Sequence, residues 1–180
     1  MIRWLRRSWV CFGLGASLFV LAGCGGGETL GDPPESVVVD LVVALSAPVD
    51  GVVTADLRDR ADVTLEVGTA RGDLWRDMLQ HSLDNTRPVY LELEPETRRI
   101  QDLELPYVSP AHSVDETAEG AEVQLIYSAA IHFLYLTQPK YQAMLALLQD
   151  SVTSGASLVV SEKDQVGIVD VRPDTFSATP

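Results

Sequence analysis

The sequence predicts an α+β fold: a mainly antiparallel sheet with two helices on one face. Three observations point there. Runs rich in Val, Leu and Ile, broken by Pro, Gly and Asp, fill most of positions 36–174, the pattern of short strands joined by turns. Two other stretches place apolar residues every three or four positions and end at a helix breaker. The order of these stretches recurs once, at a spacing of 68 residues.

The first element, SVVVDLVVALSAPVDGVVTADL from Ser36, sets two β-branched runs around Ala47-Pro48-Val49-Asp50-Gly51. Asp-Gly after a proline is turn chemistry, so the stretch reads as a hairpin. In DVTLEVG strict alternation puts Val63, Leu65 and Val67 on one face and Thr64 and Glu66 on the other. A helix follows in GDLWRDMLQHSLDNTRP: Asp73 can accept from first-turn amides, Trp75, Met78, Leu79, Ser82 and Leu83 form one stripe, and Pro88 stops it. VYLELEPETRRIQDLELPYV is a second hairpin around Glu94-Pro95-Glu96-Thr97. The acidic stretch from Ser109 to Gly120 is expected to be a mobile loop. EVQLIYSAAIHFLYLT reads as strand, and Pro139 opens a second helix carrying Tyr141, Met144, Leu145, Leu148 and Val152, with Gly155 placed to end it. ASLVVSEKDQVGIVDVRP closes as a third hairpin, and residues 175–180 are expected to be a loose tail.

At the 68-residue spacing Val63, Leu65 and Val67 pair with Ile131, Phe133 and Tyr135, and Thr69 pairs with Thr137. Leu79 falls on Leu147, Glu94 on Glu162, Ile100 on Ile168 and Asp102 on Asp170. The expectation is two β-α-β-β units, 53–106 and 121–174, on one sheet within a single domain over 36–174. The competing reading is two ordinary α+β segments that coincide.

Upstream, MIRWLRR carries Arg3, Arg6 and Arg7, no acidic residue precedes Glu28, and the apolar stretch from Trp9 to Val20 is far shorter than the roughly 20 residues that span a hydrocarbon core. That layout is a signal peptide. Leu21-Ala22-Gly23-Cys24, directly after the apolar core, resembles the lipobox of bacterial lipoproteins. The resemblance covers only this end of the chain. It implies removal of residues 1–23 by cleavage between Gly23 and Cys24, and diacylglycerol on the Cys24 sulfur with acylation, palmitate for instance, of the new amino terminus. Buried methylenes contribute about 0.8 kcal/mol each, so two or three chains hold firmly where one does not. An ordinary secretory signal is the alternative. Arg6-Arg7-Ser8-Trp9-Val10 is similar to a twin-arginine motif but lacks its phenylalanine, which leaves general secretion as the route.

In that family an aspartate after the cysteine retains the protein at the inner membrane; Gly25 stands there, which implies the periplasmic face of the outer membrane where the organism has one. Residues 24–35 then form a lipidated cysteine and a tether, flexible through its glycines and stiffened by Pro33-Pro34, reaching about 15–20 Å. With Cys11 removed and Cys24 acylated, no thiol is left for nucleophilic, zinc-thiolate or redox chemistry. Cleavage takes three of the 13 basic residues and none of the 26 acidic ones, moving the net charge from −13 to about −16. Such a surface repels nucleic acid.

No sequence motif names a reaction or calls for a cofactor: H-E-x-x-H, G-x-S-x-G, a phosphate-binding glycine loop and a dinucleotide fingerprint are all missing. His81, His112 and His132 are not spaced as a metal pair. Ser128 with His132 is a nucleophile–base combination only if geometry brings them together. Asp56, Asp59 and Asp62, interleaved with Arg58 and Arg60, screen one another and lack a calcium loop's turn glycine; Asp115, Glu116 and Glu119 are the better cation candidate. Two readings of function follow. One is a membrane-anchored module that binds an envelope protein or a cell-wall component. The other is an envelope hydrolase using carboxylates among Glu92, Glu94, Asp102 and Glu104. A cleft with two carboxylates of raised pKa favours the second, and an exposed apolar sheet face without one favours the first.

Overall fold

A computed structural model describes residues 36–164 and 167–177; Gly23, Cys24 and the rest of the expected signal, lipobox and tether lie outside them. The first half contains β1 (Val37–Leu45), β2 (Val52–Leu57), β3 (Val63–Glu66), α1 (Ala70–Asn85), β4 (Pro88–Leu93) and β5 (Ile100–Glu104). The β1–β2 turn works because Asp50 and Gly51 both take left-handed backbone (φ 51° and 77°), the twist a tight hairpin needs. β1 bends at an irregularity between Val42 and Ala44, so its first half pairs with β4 and its second with β2. β2 pairs with β3, β4 with β5, and a parallel bridge from Thr64 to Arg99 brings β3 back to β5. The strand order is therefore circular. Inward residues such as Val63, Leu65, Leu91, Leu93 and Leu103 fill the barrel, and Trp75 and Leu79 of α1 close one end. Leu79 is fully buried, which contributes about 1.5–3 kcal/mol.

The second half repeats this plan with β6 (Tyr107–Ser109), β7 (Ala111–Glu116), β8 (Gly120–Leu125), β9 (Ile131–Tyr135), α2 (Tyr141–Ser154), β10 (Leu158–Lys163) and β11 (Gly167–Pro173). β6 and β7 are one strand bent at Pro110, pairing with β10 on one side and β8 on the other. β9 meets β11 in parallel at Phe133–Gly167. In each half the first strand lies beside the second and fourth, the third beside the fifth, and a helix joins third to fourth. That is the connectivity of the five-stranded Greek-key barrel known as the OB-fold.

The duplication reaches into details. Buried Ser82 and Ser151 each donate from Oγ to a carbonyl five residues on, Arg87 and Ala156. Thr86 and Gly155, both left-handed, end the two helices with amides that donate to Ser82 and Ser151 carbonyls. Asp40 on β1 accepts the Asp59 amide (2.7 Å), and Ser109 on β6 accepts the Tyr127 amide (3.0 Å), each pinning the turn after the second strand. β4 and β10 carry the same irregularity, at Glu92/Leu93 and Ser161/Glu162.

The chain is thus α+β and mainly antiparallel, with two helices, but the strands divide between two closed sheets, and each helix packs on its own. The bent first strands use both their edges, so no edge remains for a shared sheet. From β3 through β4 the expected pairing also slips by one residue, whereas Ile100–Ile168 and Asp102–Asp170 keep the 68-residue spacing. Val53 faces Leu65 in the first barrel, and Ala121 faces Leu134 in the second. β2 and β8 are 68 apart, but β3 and β9 are 69 apart, because one more residue lies between the paired Val123 and His132 than between the paired Ala55 and Val63. A one-residue slip in a strand exchanges its faces. The inward Val63 and Leu65 therefore correspond to His132 and Leu134, whereas Ile131, Phe133 and Tyr135 face outward. Leu79 matches Leu148 rather than Leu147 by the same shift; Leu148 is the fully buried one.

Four smaller expectations change. Thr69 caps α1 by accepting the Gly72 amide at 3.1 Å, while Asp73 reaches back to the Gly68 amide at 3.0 Å. Most of the Ser109–Gly120 stretch is strand: Ser109 ends β6, 111–116 is β7, held by the Ala111 amide on Ser151 Oγ (2.9 Å), and 117–119 is a turn before β8. EVQLIYSAAIHFLYLT is two strands with a turn at 126–130. Residues 174–177 are anchored: Asp174 accepts the Phe176 and Ser177 amides, Arg58 lies 4.8 Å from the Phe176 ring, and the terminal 178–180 lie outside the described residues. Phe176 also packs where the barrels meet, against a cluster of Val39, Tyr90 and Val159.

Candidate functional site

Comparing the two barrels position by position isolates one anomaly. Val63 and Leu93 are core residues of the first barrel, and their counterparts in the second are His132 and Glu162. Both point inward, at the end of the barrel away from α2: His132 has no exposure and Glu162 is 9% exposed. His132 Nδ1 is hydrogen-bonded to Glu162 Oε1. Its Nε2 lies 2.8 Å from Ser128 Oγ, on the β8–β9 turn, and the Ala130 amide donates to the same Oγ at 3.2 Å. The Tyr107 ring meets the imidazole edge-on, centroids 5.0 Å apart, and fixes its plane. Burial raises the Glu162 pKa, and the His132 partnership pulls it part of the way back. The three side chains thus stand in the order hydroxyl, imidazole, carboxylate.

Glu162 also lines a cavity of about 360 Å³ together with Glu104, Leu105, Tyr107 and Asp164. Burial, reinforced by the charge of Asp102, raises the Glu104 pKa; Lys163 opposes it. Two carboxylates with raised pKa values thus share one cavity. Beside it, Lys163 Nζ joins the barrels, 2.7 Å from Glu92 and 2.7 Å from Asp102. Burial lowers the Lys163 pKa, but hydrogen bonds to Asp102 and Glu92 outweigh it and the ammonium titrates above its usual value. Tyr90 donates to Glu92 at 2.9 Å, and its pKa is raised by burial first and by that carboxylate second.

Of the four acids singled out from the sequence, Glu92, Asp102 and Glu104 gather here. Glu94 does not: it sits in the β4–β5 turn with Thr97 and Arg99. Asp56 accepts the Asp62 amide, and Asp59 is paired with Arg58. Glu116 accepts from Gln149, and among the described residues no three His, Cys, Asp or Glu side chains are placed to hold a metal ion. His81 and His112 are exposed, the former bonded to Asn85. Sequence reasoning missed Glu162 as the partner of His132. The available signal was a glutamate two residues on from Val160 and four from Leu158, at a position the strand period turns inward.

A second asymmetry lies on the outer face of β8 and β9. Phe133 and Tyr135, ring centroids 4.6 Å apart, stand where the first barrel has Thr64 and Glu66. Ile131 (61% exposed) lies on the same face of β9, Tyr127 (74%), Ile126 and Leu136 are exposed beyond the strand ends, and β8 sets exposed Glu122 and Gln124 opposite Phe133 and Ile131. Among the described residues no helix is long and apolar enough to cross a membrane. Set against protein-family models, curated proteins and solved structures, the chain matches none of them.

Proposed function

We propose that this chain is a bacterial envelope lipoprotein, held by lipid on Cys24, whose second barrel binds a protein or cell-wall partner through the outer face of β8 and β9. The observation that carries the reading is the internal comparison: two barrels of one plan, of which one presents Thr64 and Glu66 and the other Phe133 and Tyr135, flanked by exposed Ile131 and Tyr127. Folding alone does not call for the difference, since the first barrel closes without it. Exposed apolar patches of this kind mark interaction surfaces. By analogy of fold alone, the second and third strands are the face OB barrels use for ligands. The acidic charge argues against nucleic acid, and aromatic rings suit either a sugar face or a protein surface. The lipobox and the tether support placement at the membrane, and Gly25 supports the outer one.

The test is a crosslinked pull-down from envelopes of cells expressing the full chain. Replacing Phe133→Thr and Tyr135→Glu, the residues of the first barrel, is expected to abolish partner recovery, while Cys24→Ala releases the protein from the membrane fraction. Unchanged recovery with the double variant, or repeated recovery of nothing by the native chain, would sink the binding reading.

Hydrolysis is the second reading, favoured by the cavity that Glu104 and Glu162 share. Glu92 and Asp102 are both ion-paired with Lys163, and Asp102 also with Arg71, so they do not form a free acid–base pair.

A further inference from the structure

We propose that Ser128, His132 and Glu162 form a nucleophile–base–orienter relay that hydrolyses carboxylic esters at the mouth of the second barrel. It shares Tyr127 and Ile131 with the partner-binding face, but Ser128, His132 and Glu162 are no part of that face, so Phe133→Thr with Tyr135→Glu leaves the relay's own side chains in place.

The geometry supplies each role. An ionised Glu162 can only accept, so the hydrogen bond to it places the proton of His132 on Nδ1. Nε2 is then an acceptor, and Ser128 Oγ is 2.8 Å away, within reach for proton transfer. The Ala130 amide occupies one lone pair of Oγ and leaves its hydrogen to point at Nε2. Tyr107 packs on the imidazole edge and prevents its rotation. Ser128 itself is half-buried on the turn between the exposed Tyr127 and Ala129, which places the relay at the barrel's surface end rather than in its core. The same pair of positions in the first barrel holds Val63 and Leu93, so barrel closure does not require a buried His and Glu. Keeping them there costs stability that a use at the surface must justify.

In the reaction Ser128 Oγ bonds to the ester's acyl carbon as its proton passes to His132 Nε2, and the carbonyl π pair moves onto the carbonyl oxygen. When that pair returns, the bond to the alcohol oxygen breaks and the alcohol leaves with the proton from Nε2. Water, deprotonated by Nε2 in turn, attacks the acyl-serine, releasing the acid and restoring Ser128. Ester and water become acid and alcohol, with no oxidant or metal. Ile126, Tyr127 and Ile131 around the turn favour an ester with an apolar acyl group.

The test treats the full chain with a fluorophosphonate and, separately, with p-nitrophenyl butyrate. A single phosphonyl adduct on Ser128 and ester hydrolysis are expected, both lost in Ser128→Ala with an unchanged circular dichroism spectrum. His132→Asn should slow labelling by about 100-fold or more. Should that variant not fold, the native pH profile decides: a labelling rate that falls about tenfold per pH unit below one titration supports the relay, and a flat profile overturns it. Absence of an adduct on Ser128, or hydrolysis that survives Ser128→Ala, also overturns it.

Discussion

Giving the second barrel the first barrel's residues, His132→Val with Glu162→Leu, should cost little or stabilise the protein, whereas either change alone should be damaging. Glu162→Leu leaves the fully buried Nδ1–H of His132 without an acceptor, a loss of about 1–3 kcal/mol. His132→Val strands a carboxylate that is 9% exposed, and breaking a buried pair in this way costs about 3–5 kcal/mol. Replacing both partners by apolar groups is neutral or stabilising by about 1–4 kcal/mol, less up to about 1 kcal/mol for any void beside the smaller valine. The singles sum to about 4–8 kcal/mol, so the coupling between the positions should be at least about 3 kcal/mol even with that void. The assay is a double-mutant cycle by urea unfolding at pH 7. In the His132→Val single variant the remaining Glu162 titrates high because it is buried. A folded carboxyl with a raised pKa binds its proton more tightly than the unfolded one, so the loss should shrink as pH falls from 7 toward the ordinary glutamate value of 4.5. A double variant as unstable as the sum of the singles would refute the correspondence of this pair with Val63 and Leu93.

Other perturbations test neighbouring parts. Glu104→Gln should raise stability at pH 7, because burial and Asp102 disfavour the ionised form, and the gain should shrink as pH falls toward and below the ordinary glutamate value of 4.5; a gain that persists in acid refutes that cause. Lys163→Met leaves Glu92 and Asp102 without their shared cation and should cost about 1–3 kcal/mol. Since Lys163 titrates high in the folded state, that gap should persist through neutral pH and close only above 10.5. Gly120→Ala would set a Cβ 2.0 Å from the Leu134 carbonyl at a φ of 156°, so β8 must shift, at about 1–3 kcal/mol by thermal melting. Ser151→Ala orphans the Ala111 amide and the Ala156 carbonyl and should cost about 1–3 kcal/mol by urea unfolding.

Much of the fold was legible because its signals are local. Asp50-Gly51 forms the turn its chemistry asks for, the Trp75/Leu79 and Met144/Leu148 stripes face their cores, and the repeat was visible as a spacing. Its exact face was not. Phe133 and Tyr135 are apolar yet outward, so matching apolar to apolar chose the wrong register, and one inserted residue carried the error into the helices. Closure was also hidden: a bend at Val42/Ala44 or at Pro110 leaves no mark in a hydrophobic pattern, and parallel contacts such as Phe133–Gly167 join residues far apart in sequence. The polar stretch HSVDE looked like a loop because most of the side chains of β7 are wet, and such a strand reads as polar. As for the site, Ser128 and His132 were visible as a pair, but Glu162 is thirty residues away and only the barrel brings it to the imidazole.

The proposal that the second barrel is the one that meets a partner is tested most directly by hydrogen exchange on the full chain, in envelopes of cells expressing it and after purification in detergent. Added protection in the envelope confined to residues 120–136, with 52–66 exchanging equally in both states, is the expected result. Equal protection of the two segments, or none in either, would contradict it.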